Sequence, residues 1–187
     1  MNLMHFSAIR SFFSRKVGLA PGFGRPGGKE ERKLNTIADL LLPEDILLDM
    51  VIAGKSELIE EIGQHMESVH GMPHDSVALS LSHRERIGST GLGQGVAIPH
   101  ARVKGLDRMQ PVYIRLKYPI PFDAPDRKFV SDILVLLVPK QAAEEHLKIL
   151  AEASQMFSDS HFREQLHLCK HPLEVKRLFE AWPESPA

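Results

Sequence analysis

The sequence predicts an α/β (α+β) fold with a single mixed β-sheet flanked by helices on both faces. Three observations predict it. "DILVLLVP" (132–139) is short and continuously apolar, the pattern of a central strand covered on both sides. "PVYIRLKY" (111–118) alternates, with Val112, Ile114 and Leu116 facing inward, the pattern of a half-buried strand. Between and around them lie longer segments with apolar residues at helical spacing, so strands and helices share one core.

The elements follow in order. Residues 1–33 carry seven Lys and Arg against Glu30 and Glu31, and "GLAPGFGRPGG" should stay irregular. The run is expected to be a basic N-terminal arm, disorder being the reading its composition favours. A secretory signal does not fit, because Arg10, Arg15 and Lys16 interrupt the apolar stretch. Arg and Ser without an early acid suit an organellar transit peptide, and a start codon placed too far upstream fits equally well. One domain is expected over 34–187. "LNTIADLLLPEDILLDMVI" predicts a short apolar turn and then a strand at Ile46–Ile52.

In "SELIEEIGQHMESVHG", Leu58, Ile59, Ile62, Met66 and Val69 recur at helical spacing. Ser56 is the expected N-cap and Gly71 the expected end. "PHDSVALSLSHRER" predicts a second helix with Pro73 near its start. "AAEEHLKILAEASQMF" predicts an amphipathic helix through Leu147, Leu150, Ala151 and Phe157. Short helical patterns at Phe162–Leu168 and Leu173–Trp182 complete the chain, and no internal repeat is visible.

Composition bounds the function. Apolar residues are 43% and charged residues 25% of 187, enough for a sizeable core. A formal net charge of -1 gives no global drive toward nucleic acid or anionic membrane. Cys169 is the only cysteine, so no internal disulfide can form, and a reducing, cytoplasmic compartment is favoured. No apolar run approaches the roughly 18 residues that span a bilayer.

The chemistry concentrates in "RERIGSTGLGQGVAIPHARV" (84–103), with glycines at 88, 91, 93 and 95. Gly88 and Gly93 have P-loop spacing, but Gln94 stands where the phosphate-binding lysine belongs. "GLGQGV" also lacks the third glycine of the dinucleotide fingerprint. A nucleotide- or sugar-phosphate-binding enzyme therefore becomes the weaker reading. Backbone N–H groups at Gly91 and Gly93, with the Ser89 and Thr90 hydroxyls, could surround an anion. Pro99 fixes the backbone just before His100. A phosphoryl group carried on histidine needs a neutral ring nitrogen and donors around three oxygens. Arg84 could add a guanidinium fork.

"GSTGLGQGVAIPHARV" resembles the phosphorylation-site signature of the enzyme IIA proteins of the bacterial phosphotransferase system, fructose–mannitol class. The longer match, Thr36 to Trp182, is most similar to the nitrogen-regulatory branch. The resemblance implies His100 as the phosphorylated histidine, at its tele nitrogen. It also implies Arg84 in "SHRERIGSTG" and His146 in "AAEEHLKIL" as active-site partners, with Ser89, Thr90, Gly91 and Gly93 binding phosphate. It further implies a phosphotransferase that accepts phosphate from an HPr-type carrier and signals through its phosphorylation state. The alternative is a sugar-specific IIA subunit that passes phosphate to a IIB protein. The chain has no room for fused transport domains, which favours a free-standing regulator. No cofactor and no metal are expected.

Blander readings stand beside these. His100 could be a satisfied structural histidine, Arg84 a solvated helix-end charge beside Glu85 and Arg86, and His146 one of ten histidines. A pure interaction module that kept the fold and lost transfer is the third functional class. His161, His167, Cys169 and His171 fit no standard zinc spacing, and His65 and His70 with Glu67 do not make HExxH.

Overall fold

The structure is a computed structural model, and it describes residues 36–141 and 144–182. The basic run over 1–33 and its boundary at residue 34 lie outside the described residues.

Among the described residues, six strands make one mixed sheet. They are β1 (Ile46–Met50), β2 (Gly91–Gly93), β3 (Val96–Ala97), β4 (His100–Val103), β5 (Gln110–Ile120) and β6 (Val130–Pro139). The order is β1-β5-β6-β3-β2, and β4 also pairs with β6. β5 runs antiparallel to β6, while β1 on β5, and β3 and β4 on β6, are parallel. Six α-helices of the described residues pack around the sheet: α1 (Thr36–Leu40), α2 (Lys55–His70), α3 (His74–Ile87), α4 (Glu144–Ser158), α5 (Ser160–Leu168) and α6 (Pro172–Ala181).

Alternation along β5 and β6 sorts side chains to two cores. Val112, Ile114 and Leu116, with Ile133, Val135 and Leu137, pack under α2 and α3. Tyr113, Leu134, Leu136 and Val138 face the other way, against α1 and α4–α6. The expected sandwich with helices on both faces is therefore present.

Four local expectations need correction. β5 is not half-buried: residues 110–116 are buried without interruption, because Tyr113 and Arg115 are covered by the second helical layer. Arg115 tolerates burial because its guanidinium is saturated. It grips Asp49 in a forked pair and donates to the Leu166 and Cys169 carbonyls at the end of α5. In α2 the N-cap is Gly54 rather than Ser56, and the Ala53 N–H donates to Glu57 Oε2 at 2.6 Å. In α4 the buried stripe is Ile149, Ala153, Met156 and Phe157; Leu147 and Ala151 are exposed. The strand expected to reach Ile52 ends at Met50. The expected end of α2 holds: Gly71 sits at φ 65°, and the Gly71 and Met72 N–H groups close back onto Glu67 and Met66.

Candidate phosphoryl-transfer site at the start of β4

The glycine-rich stretch is a hairpin, and its glycines answer to steric demands. Gln94 and Gly95 link β2 to β3 with φ of 57° and 81°, the pattern of a type I′ turn. A Cβ on Gly91 would lie 2.9 Å from Ala124 Cα, so the two backbones could not approach as they do. Asp126 clamps the turn from outside. It accepts from the Gln94 and Lys128 N–H groups, which hold its carboxyl below the ordinary value.

β3 and β4 lie end to end along β6, separated by Ile98 and Pro99. The Pro99 carbonyl still accepts from the Leu136 N–H, so the break is short. It also leaves the Ile98 carbonyl beside the ring two residues on: His100 Nδ1 lies 2.9 Å from that oxygen. A carbonyl can only accept, so Nδ1 carries the proton. Nε2 then carries the lone pair, and it receives Arg84 Nε–H at 3.0 Å. Arg84 is itself tethered, since its Nη1 donates to the Gly88 carbonyl at 2.8 Å. The last turn of α3, the glycine stretch and β4 are thereby locked together through one imidazole. Arg84 is therefore not a free helix-end charge: its guanidinium is paired with a ring nitrogen sixteen positions away.

Beside His100 lies an open cleft of about 710 Å³. α3 supplies Leu79, His83, Arg84 and Ile87 at its wall, with Arg102 and Lys140 opposite. Leu79 and Ile87 are 67% and 74% exposed, so an apolar rim borders a cationic hollow. The arrangement suits an anion presented by another macromolecule.

The expected phosphate-binding residues are engaged elsewhere. Ser89 Oγ donates to the Phe122 carbonyl at 2.6 Å and accepts from the Gly91 N–H. Thr90 gives both its N–H and its hydroxyl to Glu85. Glu85 in turn pairs with Lys55 at 2.9 Å. Burial works against charge on Lys55, and Asp123 and Glu85 outweigh it, so its pKa is raised. Ser89, Thr90, Gly91 and Gly93 thus brace the hairpin in this state. His146 lies in the first turns of α4, which begins a few residues beyond Lys140; its side chain lies outside the described residues.

Sequence reasoning missed Arg102, His83 and Lys140. Two of these had a signal. Arg102 is two residues from His100 on one strand, on the same side as it, while Ala101 and Val103 turn inward. Leu79, His83 and Ile87 recur every four residues on α3, one face of the helix.

The chain is similar to known proteins in both sequence and fold. The profile of the family "Phosphoenolpyruvate-dependent sugar phosphotransferase system, EIIA 2" matches residues 39–182. A nitrogen regulatory protein of Bradyrhizobium diazoefficiens is 32% identical over 151 residues, covering 81% of this chain and 99% of its own length. The crystal structure of nitrogen regulatory protein IIA-Ntr from Neisseria meningitidis superposes with a TM-score of 0.73 at 42% identity, covering 76% of this chain and 98% of that one. Escherichia coli IIA mannitol, in its complex with phosphorylated IIB mannitol, shares the fold at a TM-score of 0.64 and 19% identity, covering 75% and 97%.

Proposed function

We propose, from the premise that the chain belongs to the EIIA type 2 family of the phosphoenolpyruvate-dependent sugar phosphotransferase system, that His100 is its phosphoryl acceptor and that its phosphorylation state is a signal. The chain is a phosphotransferase component with a regulatory role, since the relatives that cover most of its length are nitrogen regulatory proteins. The observation that carries the site assignment is the pair of bonds on the imidazole: the Ile98 carbonyl accepts from Nδ1–H, which leaves the Nε2 lone pair toward Arg84 at the cleft wall.

The chemistry follows from that arrangement. A phosphorylated carrier protein presents its phosphohistidine in the cleft. His100 Nε2 attacks phosphorus as the donor nitrogen departs with the bonding pair, and a neutral ring needs no base to remove a proton first. Arg84 must leave Nε2 for this to happen. Its guanidinium then moves onto the phosphoryl oxygens, where its charge compensates theirs, while the bond to Gly88 keeps it nearby. Arg102 and His83 stand at the same cleft. His146, on α4, would hold the ring or the phosphoryl oxygens. Ser89, Thr90, Gly91 and Gly93 serve by holding the hairpin, with their N–H groups near enough in sequence to reach an anion if the hairpin shifts.

An HPr-type carrier is the proposed donor, and regulatory proteins the proposed recipients of the signal. Passage of phosphate to a IIB protein, as the mannitol complex illustrates for its own chain, is the second reading. Among the described residues no helix is long and apolar enough to cross a membrane, and a cytoplasmic location is proposed with the donor. Labelled phosphoenolpyruvate, the general phosphotransferase enzyme and HPr should transfer label to the wild-type protein in an acid-labile bond. His100→Ala should take none while keeping its circular dichroism spectrum. Equal labelling of that variant removes the assignment.

A further inference from the structure

The geometry points to a second site, away from the His100 cleft: a divalent transition-metal site formed by Asp45, His65 and His70. Asp45 ends the 3₁₀ turn before β1 and is fully buried. Its Oδ1 lies 2.8 Å from His65 Nε2 and 2.7 Å from His70 Nε2. One ligand atom from each residue falls within 4.8 Å of the others. The second carboxylate oxygen accepts from Gln110 Nε2 at 2.7 Å inside the core, and that amide nitrogen also lies 3.4 Å from His70 Nε2. That leaves Oδ1 as a single oriented ligand with an outer partner, the arrangement that metal-binding carboxylates share.

Three details favour an ion over a hydrogen-bonded knot. Two ring nitrogens converge on one oxygen rather than dividing between two. In a tetrahedral zinc site with bonds of about 2.0–2.1 Å, neighbouring ligand atoms stand roughly 3.3 Å apart. The two oxygen–nitrogen spacings therefore need to open by only about half an ångström. The rings are also reachable, with side chains 11% and 19% exposed, while the carboxylate beneath them is not. Ions have an entry path, and the charge they neutralise is out of water. Imidazole donors select zinc, cobalt, nickel or copper over magnesium and calcium, which take oxygen ligands. Both rings would bind through Nε2 as neutral imidazoles with their protons on Nδ1, solvent completing the shell. His65 and His70 are five positions apart, not the four of a shared helix face. They meet because His70 is the last residue before the left-handed turn at Gly71, and the ring centroids are 6.2 Å apart at 74°. None of these side chains lines the His100 cleft. A bound ion would tie the end of α2 to the entry of β1 and the start of β5, and so stabilise the native state by mass action.

The test is a titration of chelator-stripped full-length protein with Zn²⁺, read by competition with a chromophoric chelator and by thermal melting. One saturable equivalent and a higher Tm with zinc are expected. His65→Gln and His70→Gln keep an N–H donor for Asp45, and so the fold, but should weaken binding about a hundredfold or more and abolish the Tm rise. Gln110→Ala should weaken it roughly tenfold to a hundredfold, as an outer partner does. His161→Ala, at an exposed position outside the site, should change neither the binding nor the Tm rise. Cobalt in place of zinc should give visible absorption bands that both glutamine variants lose. Failure of the wild type to bind at micromolar zinc, or equal binding by the two glutamine variants, overturns the assignment.

Discussion

His100 and His167 both stand beside β6, and their surroundings are opposite. His100 pairs in register with Leu136, and its ring lies between a carbonyl and a guanidinium. His167 reaches Asp132, four residues back along the same strand, and its Nε2 meets Oδ2 at 3.0 Å. That carboxylate also accepts from the Tyr113 hydroxyl at 2.6 Å and from Ser131 at 2.8 Å. Burial works to raise the Asp132 carboxyl, and His167, Tyr113 and Ser131 outweigh it, so it stays below the ordinary range. The same contact raises His167, while burial pushes the Tyr113 hydroxyl far above its usual value. One histidine thus keeps an Nε2 lone pair that the Arg84 guanidinium covers, and the other is biased toward its cationic form by the Asp132 carboxylate. On the proposed function, the ring that does chemistry is bound to partners that can be exchanged. A ring prepared for structure is bound to one that cannot.

Variants at the two regions should separate rate from stability. After the loss of His100 itself, the largest effect is expected from Arg84→Lys and Arg84→Ala. Single-turnover transfer from phosphorylated HPr should slow on the order of a hundredfold, about 3 kcal/mol of transition-state stabilisation, because a point charge cannot replace the fork. The melting temperature should hardly move; a variant that melts early but transfers normally would merge the two regions. Next comes His146→Ala, which should slow transfer less and leave His100 as the only labelled residue. His146→Gln should recover part of the rate if hydrogen bonding is its role.

The Asp132 region should behave in the reverse manner. Tyr113→Phe leaves a buried carboxylate one donor short and should cost about 1–3 kcal/mol in urea unfolding, with transfer unchanged. The smallest effect is the pH dependence of the His167–Asp132 pair. His167 is raised in the folded state, so its contribution is complete below the unfolded imidazole value of about 6.5 and fades as pH rises through the folded one. Asp132 is lowered, so it remains ionised across that window. The stability difference between wild type and His167→Ala should therefore shrink above neutrality. Half of the His167 side chain is exposed, and solvent screening limits the gain to about 1 kcal/mol or less. A constant difference from pH 5 to pH 9 would show that only packing is lost.

Legibility followed the range of the interaction. The β6 run, the α2 period and the Gly71 stop are local patterns, and the sheet and its two helical layers follow from them. Gln94 at the lysine position argued against a P-loop, and in the hairpin the glycines serve a different end, the Gly91–Ala124 approach and the turn at Gly95. The Arg84–His100 bond was expected as proximity, but the tautomer was not, because it depends on how Ile98 is turned at the break in the ladder. Ser89 and Thr90 looked like ligands for an anion because hydroxyls near glycines do. Their occupation by Phe122 and Glu85 is set by contacts up to 33 positions away. Arg115 misled in the same manner: an arginine within an alternating strand signals a wet face until Asp49 and two helix-end carbonyls cover it. Asp45 and His65 were invisible as a pair for want of any spacing rule across a turn, a strand and a helix.

The parallel pairing of β1 with β5 has a kinetic consequence. Ile46 faces Tyr113, so this ladder closes a loop of about seventy residues, whereas β5 and β6 meet through a short connection between Ile120 and Val130. The entropy of closing the long loop must be met before its contacts return anything. The β5–β6 hairpin and the α2–α3 pair should be formed at the rate-limiting step, with β1 added afterwards. Substitutions such as Ile46→Val would then hasten unfolding and leave the refolding arm of the chevron almost unmoved. The same change made at Ile133, on the central strand, should slow refolding.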